Sequence, residues 1–240
     1  MEEVLTIIPA KGRSTRIPGK NMALLGGKPL VLHAIEQAFA AGVCGEVCVA
    51  TDDRRIADMA RAAGAAVPFL RSNDVDDVTS VGVAALNTLI RYREELGRRF
   101  RHLCLLLTTS PMRRPEDITG CWDMLLADSA LDAAMSFVYA EKHPCWAWRS
   151  EDRHLMSPLF PDRCDLGRAQ LPRAYYVDGA VYWAKADCFE QAGGNQYVGR
   201  VGGYIMSPEH AVDVDTPLDL AFCEFLYQSR LPSGSQAVGC

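Results

Sequence analysis

An α/β fold with a mostly parallel sheet is predicted by three features of the 240-residue chain. Short apolar, β-branched runs alternate with segments of helical period. The alternation recurs every 25 to 40 residues or so, about the length of a right-handed strand–helix–strand crossover. The first of these runs is apolar on both faces, as strands covered by helices on both sides are.

The elements follow in order. Val4 to Ile8 reads as a buried strand ended by Pro9. Pro29 to Ala41 reads as a helix, with Leu32, Ile35 and Phe39 at helical spacing and Gly42 as its stop. Glu46 to Ala50 is the second strand, and Asp53 opens a helix that Gly64 ends. Val67 to Leu70 reads as a short third strand, Thr79 to Gly97 as a longer helix, and His102 to Leu107 as the most continuous apolar strand. Pro115 opens another helix, where its missing N–H costs nothing. Ala134 to Tyr139 is a further strand, after which the pattern lapses from Lys142 to Pro172. Strand character returns at Tyr175 to Trp183 and Val201 to Met206, and Pro217 to Gln228 is a closing helix.

Composition narrows the function. Hydrophobic residues at 49% and charged residues at 23% suffice for a core and exclude global disorder. Length favours one domain, residues 1–230, with a disordered tail at 231–240. A net charge of −5 argues against general binding to nucleic acid or anionic membrane, so any bound anion needs a local basic cluster. The charge run from Arg91 to Arg101 is interrupted by Glu94 and Glu95 and reads as a solvated helix end. Nine scattered cysteines without a C-x-x-C pair argue against a disulfide framework or zinc site. The acidic start, quickly broken by Pro9, lacks a signal-peptide pattern, and no apolar run approaches the roughly 20 residues of a membrane span. The expected location is the reducing cytoplasm.

Such sheets bind ligands beyond the carboxyl ends of their strands. The loop there, Pro9 to Asn21, places Lys11, Arg13, Arg16 and Lys20 among ten residues with no acid. Gly12 and Gly19 allow close backbone approach, and Ser14 and Thr15 add hydroxyls. This composition suits nucleotide phosphates, which need both cations and N–H donors. It is not a Walker A loop: Asn21 stands where Ser or Thr would hold magnesium.

The run P-A-K-G-R-S-T-R-I-P-G-K-N resembles the opening motif of the CMP-sialic acid synthetases (acylneuraminate cytidylyltransferases), with CMP-Kdo synthetases as cousins. Further landmarks follow in family order: Thr51-Asp52-Asp53, Val67 to Arg71, Thr109-Ser-Pro-Met-Arg113, Arg168 to Pro172, Gly179 to Tyr182, and Asp213-Val-Asp-Thr-Pro217. The resemblance spans roughly residues 4 to 228 and implies a Rossmann-like nucleotidyltransferase fold. It also implies transfer of CMP from CTP to a nine-carbon α-keto acid sugar, a nonulosonic acid, with release of pyrophosphate. The competing readings are a Kdo or sugar-1-phosphate nucleotidyltransferase and a non-catalytic nucleotide-binding regulator.

Site residues follow from the motifs. Asp213 and Asp215, two apart on an extended segment, point to one side about 7 Å apart and can ligate Mg²⁺ (or Mn²⁺). Thr216 and Pro217 read as a helix N-cap and first residue. By resemblance, Lys11, Gly12, Ser14, Arg16, Lys20 and Asn21 bind the nucleotide, with Lys20 an exposed catalytic cation and Asn21 near the ribose. Arg71 and either Thr79 or Ser80 resemble the cytosine readers; otherwise they are a surface arginine and a helix cap. Arg113 is either an exposed loop charge or a wall of the nucleotide and sugar pocket. Arg168 and Tyr182 resemble sugar contacts, and His143 borders the sugar site or is structural. Residues 142–173 resemble a dimerisation arm, implying a homodimer with a shared sugar site.

Two positions depart from the family pattern. Lys11 replaces an arginine of many relatives, a point charge for a planar fork. Leu107 replaces a glutamine of many sialic acid synthetases. If it lines the pocket, it favours a modified sugar of legionaminic or pseudaminic type; otherwise it is core.

Overall fold

The computed structural model describes residues 2–14, 17–71, 80–197 and 199–230. Strand β1 (Glu2–Pro9) runs into the basic loop, which ends in a 3-10 turn at Lys20–Met22. A short hairpin, β2 (Leu24–Leu25) and β3 (Lys28–Pro29), leads to α1 (Leu30–Ala41). Then come β4 (Glu46–Ala50), α2 (Arg54–Ala62), α3 (Val81–Leu96), β5 (Phe100–Leu106), α4 (Pro115–Ala127) and β6 (Ala133–Tyr139). The irregular excursion carries its own hairpin, β7 (Trp148–Ser150) and β8 (Met156–Pro158). The chain returns through β9 (Tyr175–Lys185), α5 (Ala186–Gln191), β10 (Val201–Met206) and α6 (Pro217–Arg230).

The main sheet has the order β10-β6-β9-β5-β1-β4. β1 is parallel to both β4 and β5, and β10 is parallel to β6, while β9 is antiparallel to both neighbours. The reversal has a simple cause. The excursion leaves from the carboxyl end of β6 and returns there, pairing Tyr139 with Tyr175, so β9 must run back.

The period-2 geometry of β1 fixes the layers. Val4 and Ile8 face a core shared with α1, α2 and α4, through Ile35, Ile56 and Trp122. Leu5 and Ile7 face the opposite core, closed by α3 and α5 through Leu89, Tyr92 and Phe189. Full burial of each such aliphatic side chain contributes about 1.5–3 kcal/mol. A third cluster, with Leu25, Met112, Val214 and Cys223, fastens α6 and the β2–β3 hairpin beside the sheet.

Two element expectations need correction. Val67 to Leu70 forms no strand; only Ala66 makes a bridge, with Cys48, because Pro68 has no N–H to continue a ladder. The long helix begins at Val81, capped by the Ser80 hydroxyl; Thr79 lies outside the described residues. The proposed tail, 231–240, also lies outside them. No described helix is long and apolar enough to cross a membrane.

Candidate active site

The basic loop is strapped on both flanks at the carboxyl edge of the sheet. On the β4 side, the Gly12 amide donates to Asp52 Oδ1 at 2.6 Å and the Ala10 amide to the Ala50 carbonyl at 3.0 Å. On the β5 side, Thr108 donates to Asn21 Oδ1, and Asn21 Nδ2 donates to the Lys11 carbonyl at 2.7 Å. Asn21 is buried and its amide holds the loop together. A Cβ on Gly12 would lie 2.8 Å from Asp53 Cβ, so only glycine fits there. Lys11 and Arg13 stay at the exposed rim, and Ser14 is half-buried. Thr15 and Arg16 lie outside the described residues.

Lys20 connects this loop to the acidic segment. Its ammonium donates to Asp215 Oδ1 at 2.9 Å and to the Val214 carbonyl at 3.0 Å. With its side chain only 13% exposed, it is not the exposed loop charge expected from sequence. Val214 is fully buried, and its amide donates to the Thr109 carbonyl at 2.7 Å. That anchor turns the alternate side chains, Asp213 and Asp215, outward on either side of it. Desolvation by the crevice raises the Asp213 carboxyl above the usual carboxylate range; Asp215 adds to the rise, while Thr109 and Lys20 oppose it. Behind the pair, the Asp215 and Thr216 amides donate to Asp219 Oδ2 at 3.1 and 2.7 Å, and the Asp219 amide donates to Thr216 Oγ1. This is the expected N-cap at Thr216, completed by Asp219, three residues on in a T-x-x-D pattern.

Among the described residues no group of three or more His, Cys, Asp and Glu converges as a metal cluster. The donor set at Asp213 and Asp215 nonetheless fits Mg²⁺. Two hard carboxylates, one of them raised mainly by desolvation and further by the other, leave the remaining positions to water and phosphate oxygens, as Mg²⁺ prefers.

On the other flank, the Arg71 amide donates to the Thr51 carbonyl at 2.8 Å. The half-buried Arg71 guanidinium borders a cavity of about 280 Å³ between β4 and α3, with Ala50, Phe69 and Asn87 among its walls. Burial lowers the Arg71 guanidinium, and the Asp52 carboxylate counters that effect. The Ser80 hydroxyl is engaged as the cap of α3.

The residues assigned to the sugar divide. A Cβ on Gly179 would lie 3.7 Å from Leu107 Cδ1 and 3.9 Å from both Ser110 Oγ and the Tyr182 hydroxyl, so these side chains converge over one glycine. Leu107 is half-buried, and it also packs against the α3-side core. Tyr182 is buried; its phenol is held well above the usual range by burial and by Tyr197. Arg168 is exposed in the excursion, donating to Glu141 Oε2 at 3.1 Å and to the Glu141 carbonyl, above the Tyr139 ring. His143 caps the 3-10 turn Pro144–Trp146 and bonds to the Pro172 carbonyl, closing the base of the excursion.

Arg113 is neither an exposed charge nor a pocket wall. It is 2% exposed, with its guanidinium donating to the carbonyls of Ala180 at 2.5 Å and Leu107 at 3.2 Å, and to Gln37 Oε1 at 2.9 Å. Burial pushes it down to about 10. Its work is to brace the turn after β5. Sequence reading missed Thr108 and Gln37, because single polar residues on separate elements carry no spacing signal, and it named Asp52 and Thr109 only as landmarks without a role.

Known proteins resemble this chain in sequence and in fold. The family model described as Cytidylyltransferase matches residues 5–142. The chain is 31% identical over 233 residues to CMP-N,N'-diacetyllegionaminic acid synthase of Legionella pneumophila, covering 94% of this chain and 96% of that one. It is 28% identical over 236 residues to pseudaminic acid cytidylyltransferase of Campylobacter jejuni, covering 93% and 96%. Its fold matches a structure of CMP:2-keto-3-deoxy-manno-octonic acid synthetase complexed with CTP, with a TM-score of 0.70 at 21% identity over 96% of this chain and all of that one. With the family model matching more than half of the chain and a relative of 31% identity covered nearly end to end, the chain belongs to the cytidylyltransferase family.

Proposed function

We propose that the chain transfers CMP from CTP to a nonulosonic acid, giving the CMP-sugar and pyrophosphate. The observation that carries this is the bridge from Lys20 to Asp215 and Val214, which joins the phosphate loop to the acidic pair where triphosphate and sugar must meet. The family match, and relatives named for legionaminic and pseudaminic acids, support the sugar class.

The sugar's anomeric oxygen attacks the α-phosphorus in line, and the bond to the β-phosphate breaks with its electrons on pyrophosphate. Lys11, Arg16 and Lys20 screen the charge of the triphosphate and of the departing pyrophosphate. Asp213 and Asp215 would hold Mg²⁺, which when bound supplies Lewis-acid polarisation of phosphate oxygens. The protein forms no covalent intermediate in this reading. Fixing the loop through Asn21, Thr108 and Asp52 then supplies rate by positioning.

On the sugar side, the apolar Leu107 beside Gly179 and Tyr182 favours a diacylamino nonulosonic acid over N-acetylneuraminic acid. A sugar hydroxyl set against leucine would lose water without a replacement partner, at about 1–3 kcal/mol. Residues 142–173 serve as a dimerisation arm that brings Arg168 to a shared sugar site. Support comes from the hairpin it contains, whose exposed apolar side chains include Trp148, Leu155, Met156, Leu159 and Phe160.

Pyrophosphate release from CTP, measured across a panel of legionaminic, pseudaminic, N-acetylneuraminic and Kdo acids, tests the function. Turnover should require one of the nine-carbon acids. Turnover with Kdo alone would favour the runner-up, and none with any sugar would favour a regulator.

A further inference from the structure

The turn Thr51-Asp52-Asp53, at the carboxyl end of β4, enters the mechanism above only as one strap of the loop, yet it touches both the phosphate loop and the segment that carries Arg71. The Gly12 amide of the phosphate loop donates to Asp52 Oδ1 at 2.6 Å. Asp53 fills the space a side chain at position 12 would need, so loop and turn are in direct contact. The amide of Arg71 donates to the Thr51 carbonyl at 2.8 Å, placing the start of the proposed base-reading segment on the same turn. Asp53 caps α2 by accepting from the Arg55 amide at 2.8 Å, and the Asp53 amide donates to Thr51 Oγ1 at 3.1 Å, so the turn is itself rigid.

A half-buried carboxylate at the edge of a triphosphate site is a liability by charge alone, since it repels the ligand. Here it is compensated on two sides. A short charge-assisted bond from Gly12 satisfies one oxygen. The Arg71 guanidinium, which burial would otherwise disfavour, lies within its field.

We propose that Asp52 is a positioning residue for the nucleotide, holding the phosphate loop through the Gly12 amide and the Arg71 side chain through its charge, so that triphosphate and base are received as one rigid unit. The inference rests on the nucleotide reading of the site and adds to it a residue that need not touch the substrate.

The test uses calorimetric titration of CTP, UTP and inorganic pyrophosphate, with steady-state KM for both substrates and thermal melting, for wild type, Asp52→Ala and Asp52→Asn. Alanine removes both the acceptor and the charge; asparagine keeps an acceptor for Gly12 and loses only the charge. In Asp52→Ala, CTP and pyrophosphate affinities should fall at least tenfold while the sugar KM stays within twofold. In Asp52→Asn, pyrophosphate affinity should return to within about threefold of wild type, while the preference for CTP over UTP stays reduced about fivefold. CTP affinity in Asp52→Ala within twofold of wild type overturns the proposal, as do equal losses for CTP and sugar, the mark of a merely structural role. If the alanine variant does not fold, Asp52→Asn decides: unchanged CTP over UTP preference overturns it. Wild type that binds no CTP would instead overturn the functional reading itself.

Discussion

Asp215 and Lys20 form an ion pair across the junction of phosphate loop and acidic segment, and each should respond differently to removal. Asp215→Asn should keep the fold and lose roughly two orders of magnitude or more in turnover at saturating Mg²⁺, because a charge at the reacting phosphate disappears. Initial rates beside a melting curve check this, and near-normal turnover would refute the metal assignment. Lys20→Ala should raise the KM for CTP about tenfold and cost about 1 kcal/mol of stability, since a lysine tied to a backbone carbonyl and a partly screened carboxylate is lost. Urea unfolding with CTP kinetics measures both; an unchanged KM with a large stability loss would make the bridge structural only. Leu107→Gln should shift kcat/KM toward N-acetylneuraminic acid by about tenfold, or 1.4 kcal/mol. An unchanged sugar ranking with lower stability would place Leu107 in the core.

Among the elements, the excursion between β6 and β9 has the most at stake. Its hairpin offers too little surface to bury its own apolar side chains, and Trp148, Leu155, Met156, Leu159 and Phe160 stand exposed in the single chain. Sedimentation should show a dimer, and Arg168→Ala should raise the sugar's KM more than that of CTP. A fully active monomer at assay concentration would rule out the shared site. The Arg168 contacts with Glu141 and Tyr139 also fix the root of this arm on the end of β6. The helices show the opposite case, because their ends are written locally. Asp53 accepts from the Arg55 amide at the start of α2, and Thr216 and Asp219 exchange bonds at the start of α6, from residues within three positions of each other. The short third strand failed for an equally local reason, the missing N–H of Pro68.

Across the whole molecule, Arg113 links elements that are far apart in sequence. One guanidinium joins Gln37 on α1, the carbonyl of Leu107 after β5, and the carbonyl of Ala180 on β9. Asp178 and Asp117 contribute to the field that keeps it charged in the interior. Arg113→Met should destabilise the protein by about 3 kcal/mol, because it strips buried carbonyls of their donor and leaves Asp178 without its cationic counterpart. Equilibrium urea unfolding checks this; a cost below about 1 kcal/mol would mean that the network closes without it.

The sequence by itself determined the alternation of strands and helices, most helix ends, the basic loop, the Asp-x-Asp segment and the family. Each of these is written in period, capping or contiguous motif, where neighbours in the chain are neighbours in space. The tertiary structure decided how those pieces are used. Asn21 straps the loop, Gly12 leaves room for Asp53, and Arg113, which read as a surface or pocket charge, is an interior brace. The partners of Asn21, Gly12 and Arg113 lie between 10 and 87 positions away, counting the contacts to Lys11, Thr108, Asp52, Ala180 and Gln37. Only folding brings such groups within hydrogen-bonding distance, and burial then decides whether a polar side chain serves the ligand or the protein itself.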